Sequence, residues 1–95
     1  MLNSFKNINT KKILEIANKY GVSNLRVFGS YAKGTNKKGS DLDLLYTSKR
    51  NFSLLKHAAL ELELTRLLKI KVQLVSDKAL SSLIKKEVIN SSIKL

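Results

Sequence analysis

The chain contains no cysteine, no proline and no tryptophan, and only four glycines. Without cysteine there is no disulfide framework and no thiolate zinc site. That composition suits a reducing cytoplasm, which is the expected location. Aromatic residues make up 6% of the chain, too few to interleave with cations as base-stacking platforms. A nucleic-acid partner is therefore open but not favoured. No apolar stretch approaches the roughly 18 residues that cross a bilayer, so no membrane role is expected. Residues Met1 to Thr10 interrupt Leu2, Phe5 and Ile8 with Asn, Ser and Lys, unlike the continuous apolar segment of a signal peptide. Acidic residues are also scarce: 7 Asp and Glu face 18 Lys and Arg, for a net charge of +11. A field of that sign attracts polyanions and acidic proteins. The lysines are spread along the whole chain, which equally fits a general compositional bias.

What is present suffices for one core. The chain has 95 residues, of which 43% are hydrophobic, and residues 1–95 are expected to form a single small domain. Three of the four glycines, Gly29, Gly34 and Gly39, fall within one short stretch. From Gly29 to Asp43 it reads G-S-Y-A-K-G-T-N-K-K-G-S-D-L-D. A Gly-Ser pair closes the apolar run Leu25, Val27, Phe28, and Asp41 and Asp43 open a second run through Leu42, Leu44, Leu45 and Tyr46.

Side chains alternate along a strand, so Asp41 and Asp43 share a face about 7 Å apart, with Leu42 and Leu44 on the other. Two carboxylates aimed at one point suit a hard divalent cation, Mg²⁺ above all or Mn²⁺. A Gly-Ser turn opening a short helix offers N–H groups and a hydroxyl to phosphate. Together they describe a metal–nucleotide site. Either feature alone is common at turns and strand starts; their combination at this spacing is far more specific.

This pattern resembles the nucleotidyltransferases of the DNA polymerase β type, and the short length resembles their minimal members, the MNT proteins. The likeness takes in Tyr20-Gly21-Val22, the run Leu25 to Phe28, Ala32-Lys33-Gly34, Ser40 before the first aspartate, and Val72 to Val75. It implies that Asp41 and Asp43 are the catalytic, metal-binding carboxylates, and that Gly29 and Ser30, helped by Lys33 and Ser40, hold a nucleoside triphosphate such as ATP. It further implies Mg²⁺-dependent transfer of an NMP, AMP foremost, to a hydroxyl of a HEPN-type toxin, the chain acting as its antitoxin. Members usually carry Arg where this chain has Lys33, which keeps the charge but loses the planar fork. They also carry a third acidic residue on the next strand; this chain reads Val72-Gln73-Leu74-Val75. Gln73 has no charge and takes no proton. The alternative is thus a nucleotide-binding antitoxin of weak or no activity that neutralises its partner by contact. Asp77 replaces the missing carboxylate only if its loop folds back. Lys37 and Lys38 either add charge for the triphosphate or are simply solvated.

Hydrophobic periodicity predicts alternating helices and strands, and the resemblance implies the nucleotidyltransferase-like α/β (α+β) fold, a small mixed sheet of three to four strands with helices on one face. Helices are expected over Asn9–Tyr20, Ser30–Lys33, Phe52–Lys69 and Leu80–Asn90, and strands over Leu25–Phe28, Asp41–Thr47 and Lys71–Val75. Asn9 or Thr10 caps the first helix and Gly21 ends it; Asn51 or Ser53 caps the long one, and Ser76 or Asp77 the last. The long helix carries two apolar stripes. Leu54, Leu55, Ala58, Ala59 and Leu62 form one; Leu60, Leu64, Leu67 and Leu68 form the other. One stripe serves the sheet and the second meets either the C-terminal helix, the default, or a partner protein, to which contact neutralisation would present Leu60 and Leu64. Tyr31 and Tyr46 read as packing residues and His57 as a boundary residue rather than a metal ligand. Ile93 and Leu95 in the tail pack on the domain or on a partner. A homo-oligomer stays open.

Overall fold

The computed structural model describes residues 9–95; the reading of Met1 to Ile8 lies outside them. Helix α1 spans Thr10–Tyr20. The Asn9 side chain caps it by accepting the Lys12 N–H at 3.1 Å, and Gly21 ends it at φ 81°, a left-handed position that glycine takes without steric cost. Strand β1 spans Val22–Phe28, and α2 is the single turn Ser30–Lys33. Strand β2 covers Leu42–Ser48 and helix α3 Leu54–Leu68, capped by Ser53. Strand β3 is Val72–Ser76, and a 3₁₀ turn follows over Asp77–Ala79 with Ser76 as its cap. Ser81, not Ser76 or Asp77, caps the last helix, α4, over Ser82–Ser91. A short β4, Ile93–Lys94, ends the chain.

The sheet has four strands in the order β3-β2-β1-β4. β1 pairs antiparallel with β2 and with β4, while β2 and β3 run parallel. The tail thus packs on the domain as an edge strand, held at its end by the Leu95 N–H donating to the Leu25 carbonyl at 3.0 Å.

Alternation along the strands divides the sheet into two faces. Leu25, Val27, Leu42, Leu44, Tyr46, Val72 and Leu74 point to one, where Ile13 and Ala17 of α1 and Leu60 and Leu64 of α3 close the core. The stripe expected to meet a partner under contact neutralisation is therefore the buried one: Leu60 and Leu64 are wholly inaccessible to solvent. The other stripe points outward. The reason is geometric, since α3 is apolar on both sides and the helix turns toward the sheet the side whose leucines fill the gap between β2, β3 and α1. Tyr31 and Tyr46 are buried as expected. The Tyr46 hydroxyl lies 2.7 Å from His57 Nδ1, which makes His57 a boundary residue tied to the core.

The opposite face is largely open. The C-terminal helix α4 lies over its far end, where Lys85 and Ile89 stand beside Leu45 and Thr47. The end of the face that carries Asp43 is left clear of α4. Among the described residues no helix is long and apolar enough to cross a membrane.

Candidate active site

Asp43 lies within β2, the strand flanked by β1 and β3. Its lateral neighbours are Phe28 on β1 and Gln73 on β3. Laterally paired residues project to the same face and sit about 5 Å apart, so Gln73 stands beside Asp43 on the open face. Asp41 was expected within the strand but immediately precedes β2, near enough for its charge to act on Asp43. The position that the resemblance assigns to a third carboxylate is therefore filled by a solvent-exposed amide.

Gly29 follows Phe28 and brings the backbone against the Asp43 carboxylate. A Cβ added there would overlap Asp43 Oδ2 and lie 3.3 Å from its Cγ. The residue adopts φ 72°, ψ −150°, a region open in practice to glycine alone. The dihedrals disfavour any other residue, and a side chain there would also have to displace the Asp43 carboxylate. Ser30 begins α2, and Gly29 supplies no side-chain cap, so the first N–H groups of the turn lack intrahelical acceptors. Lys33 is exposed at the end of α2.

Ser40 does local work that its position alone did not reveal. Its hydroxyl accepts the Lys37 N–H at 2.8 Å, and its own N–H donates to the Lys37 carbonyl at 2.9 Å. This closes the loop just before Asp41 and leaves the hydroxyl hydrogen free to donate. Lys37 and Lys38 are exposed. They line a cleft of about 570 Å³ whose other wall is Lys69 to Lys71. Lys69 and Lys71 were not singled out in the sequence, because only the parallel pairing of β2 with β3 brings their turn to this end of the sheet.

Burial raises the Asp43 carboxyl above its ordinary range, and the neighbouring Asp41 charge raises it further. Among the described residues neither carboxylate forms an ion pair, although the chain carries 18 Lys and Arg. An uncompensated pair of oxygen-donor anions fits a hard dication. Among the described residues no cluster of three His, Cys, Asp or Glu side chains occurs; beside Asp43 on the next strand stands the neutral Gln73 amide.

Asp77 does not restore the third carboxylate. It follows β3 at the far end of the sheet, where its Oδ2 accepts from the Thr47 hydroxyl at 2.7 Å and faces Lys85 Nζ at 3.6 Å. Thr47 is four residues along β2 from Asp43, about 13 Å in an extended strand. Parallel pairing fixes this, since the residue after β3 must emerge at the carboxyl end of β2, away from Asp41.

A four-stranded mixed sheet bearing a Gly-Ser turn against an Asp-x-Asp strand defines a nucleotidyltransferase-type domain. Residues 10–95 match the nucleotidyltransferase domain family, and the chain belongs to that family. It is 37% identical over 92 residues to the protein adenylyltransferase MntA of Thermococcus cleftensis, covering 97% of this chain and 93% of that one. A relative in Methanocaldococcus jannaschii, MJ0126, described as a candidate protein adenylyltransferase, is 40% identical over 75 residues, covering 79% and 76% of the two chains. Among solved structures, a candidate minimal nucleotidyltransferase superposes with a TM-score of 0.87 at 34% identity, covering 100% of this chain and 97% of that one. A toxin–antitoxin structure with AMP-PNP shares the fold at a TM-score of 0.79 and 23% identity, over 90% of this chain and 71% of that one. The MNT antitoxin fold, seen with a tri-AMPylated Shewanella oneidensis HEPN toxin, matches at a TM-score of 0.70 and 19% identity, over 90% and 67%.

Proposed function

We propose that this protein is a Mg²⁺-dependent adenylyltransferase that moves AMP from ATP to a hydroxyl of a HEPN-type partner, as the antitoxin of the pair in the cytoplasm. The observation that carries this reading is the packing of the Gly29 backbone on the Asp43 carboxylate. It puts the Gly-Ser turn and the aspartate of β2 side by side, where a turn binding phosphate and a strand binding a cation would have to meet, at a backbone conformation that favours glycine. The relatives named for protein adenylylation support the choice of donor and acceptor.

Asp41 and Asp43 would hold the cation, Mg²⁺ or Mn²⁺, which would neutralise charge on the phosphoryl oxygens and on the leaving pyrophosphate. Gly29, Ser30 and the free N–H groups of α2 donate to the terminal phosphates. Lys33 adds positive charge, as do Lys37 and Lys38 in the loop before Asp41, where the Ser40 hydroxyl donates. The acceptor oxygen bonds to the α-phosphorus as the bond from that phosphorus to the bridging oxygen breaks, and pyrophosphate leaves. The hydroxyl proton passes to water or to a base carried by the acceptor, because the Gln73 amide cannot take it.

A second reading rests on Gln73 itself: lacking a carboxylate beside Asp43, the protein binds nucleotide, transfers slowly or not at all, and neutralises its partner by contact. The deciding experiment follows α-labelled ATP, with Mg²⁺ or Mn²⁺, onto a co-expressed HEPN protein. Label from the native chain that disappears in Asp41→Asn/Asp43→Asn supports the enzyme. Label only after Gln73→Asp supports the second reading. Label retained by the double variant overturns the site.

A further inference from the structure

The outward face of α3 has no partner within the described fold. Leu54 is 82% exposed, Leu55 83% and Leu62 50%, and Ala58 and Ala59 between them are exposed too. These side chains fall on consecutive turns of one side of the helix, opposite Leu60 and Leu64. Such a helix, apolar on both sides, is the pattern of a helix buried on both sides. The alanines lower the middle of the stripe, which lets a second helix approach closely.

The stripe ends in charge of one sign. Arg66 and Lys69 continue it toward the C-terminus of α3 and are exposed. The nearby acidic side chains are engaged elsewhere: Glu61 accepts the Leu74 N–H at 2.7 Å, and Glu63 accepts the Tyr20 hydroxyl at 2.7 Å. Two copies of a chain of net charge +11 repel as they approach. An acidic surface is drawn in by the same field.

We propose that this face docks an amphipathic helix of an acidic partner protein, its apolar side on Leu54 to Leu62 and its carboxylates on Arg66 and Lys69. The helices run antiparallel. The partner's first turn, where carboxylates complement the helix dipole, then lies against the cationic end of α3. The sheet separates the leucines of this face from Asp43, although Lys69 also lines the cleft beside Lys37 and Lys38, so an Asp41→Asn/Asp43→Asn variant keeps its docking.

The probe is a synthetic helical peptide with leucines along one side and glutamates in its first two turns, compared with a version carrying lysines in place of the glutamates. Binding to the full chain is followed by fluorescence anisotropy, and its location by backbone amide shifts. The glutamate peptide should bind with shifts along α3, and Leu55→Asp or Leu62→Asp should weaken it tenfold or more with the melting temperature unchanged, since both side chains are exposed. Arg66→Glu/Lys69→Glu should lose the glutamate peptide and gain the lysine one. Shifts confined to the Lys37–Lys38 loop, indifference to the charge reversal, or no binding would each overturn the proposal. So would self-association of the chain that Leu55→Asp abolishes, which would assign the face to a second copy.

Discussion

Gly29→Ala tests the geometry of the candidate site most directly. The methyl group would enter the space of Asp43 Oδ2, and alanine must hold φ 72°, ψ −150°. A residue forced into that region costs about 1–3 kcal/mol. Moving the Asp43 carboxylate off its rotamer adds about 1 kcal/mol. The sum, about 2–4 kcal/mol, corresponds to a fall in melting temperature of roughly 10–30 °C for a domain of this size. Thermal and urea unfolding, checked for a two-state transition, measure it. Asp43→Ala removes the group that the methyl meets, so Gly29→Ala should cost about 1 kcal/mol less in that background, a coupling a double-mutant cycle resolves. A fall in melting temperature of less than about 3 °C for Gly29→Ala, or an equal cost with and without the Asp43 carboxylate, would refute the close packing of Gly29 on Asp43.

The other predictions concern charge and the core. Asp43→Asn should stabilise the metal-free protein at neutral pH. The folded state raises the Asp43 carboxyl, so it binds the proton more tightly than the unfolded chain does. The stability this contributes is complete below the unfolded value, near pH 4, and is lost as pH rises through the raised folded value. Melting curves from acid to neutral pH should show that loss in the native chain and a smaller one in the variant, while added Mg²⁺ should stabilise only the native chain; the reverse order would refute the account. Leu60→Ala should cost about 2–5 kcal/mol as a buried cavity, whereas Leu62→Ala, on the outer side of α3, should stay within about 0.5 kcal/mol. Equal costs would mean that the helix face is misassigned.

Much of the local structure could be read from the residues themselves. Asn9 and Gly21 bound the first helix, and Ser53 starts the long one, because each cap depends only on neighbouring residues. Strand alternation, a property of the chain, assigned Asp43 to the face opposite Leu42 and Leu44, although β2 begins only after Asp41. Gly29 was recognisable as a turn residue, but the sequence could not say that the atom requiring glycine is a carboxylate oxygen of Asp43. The tail was open between two fates until β4 paired with β1, a contact between residues far apart in the chain. The two leucine stripes of α3 were visible, yet the one given to a partner under contact neutralisation is the one the core takes.

Sequence by itself thus marked the Gly-Ser turn and the two nearby aspartates as the candidate site, and determined which turns and caps bound the helices. Strand pairing and packing decided the rest. The register of β2 with β3 set Gln73 beside Asp43 and sent Asp77 to the other end of the sheet. The fit of leucines between α1, β2 and β3 chose the inner side of α3. Caps and alternation act over a few residues, whereas register and packing are settled only when distant segments compete for the same space.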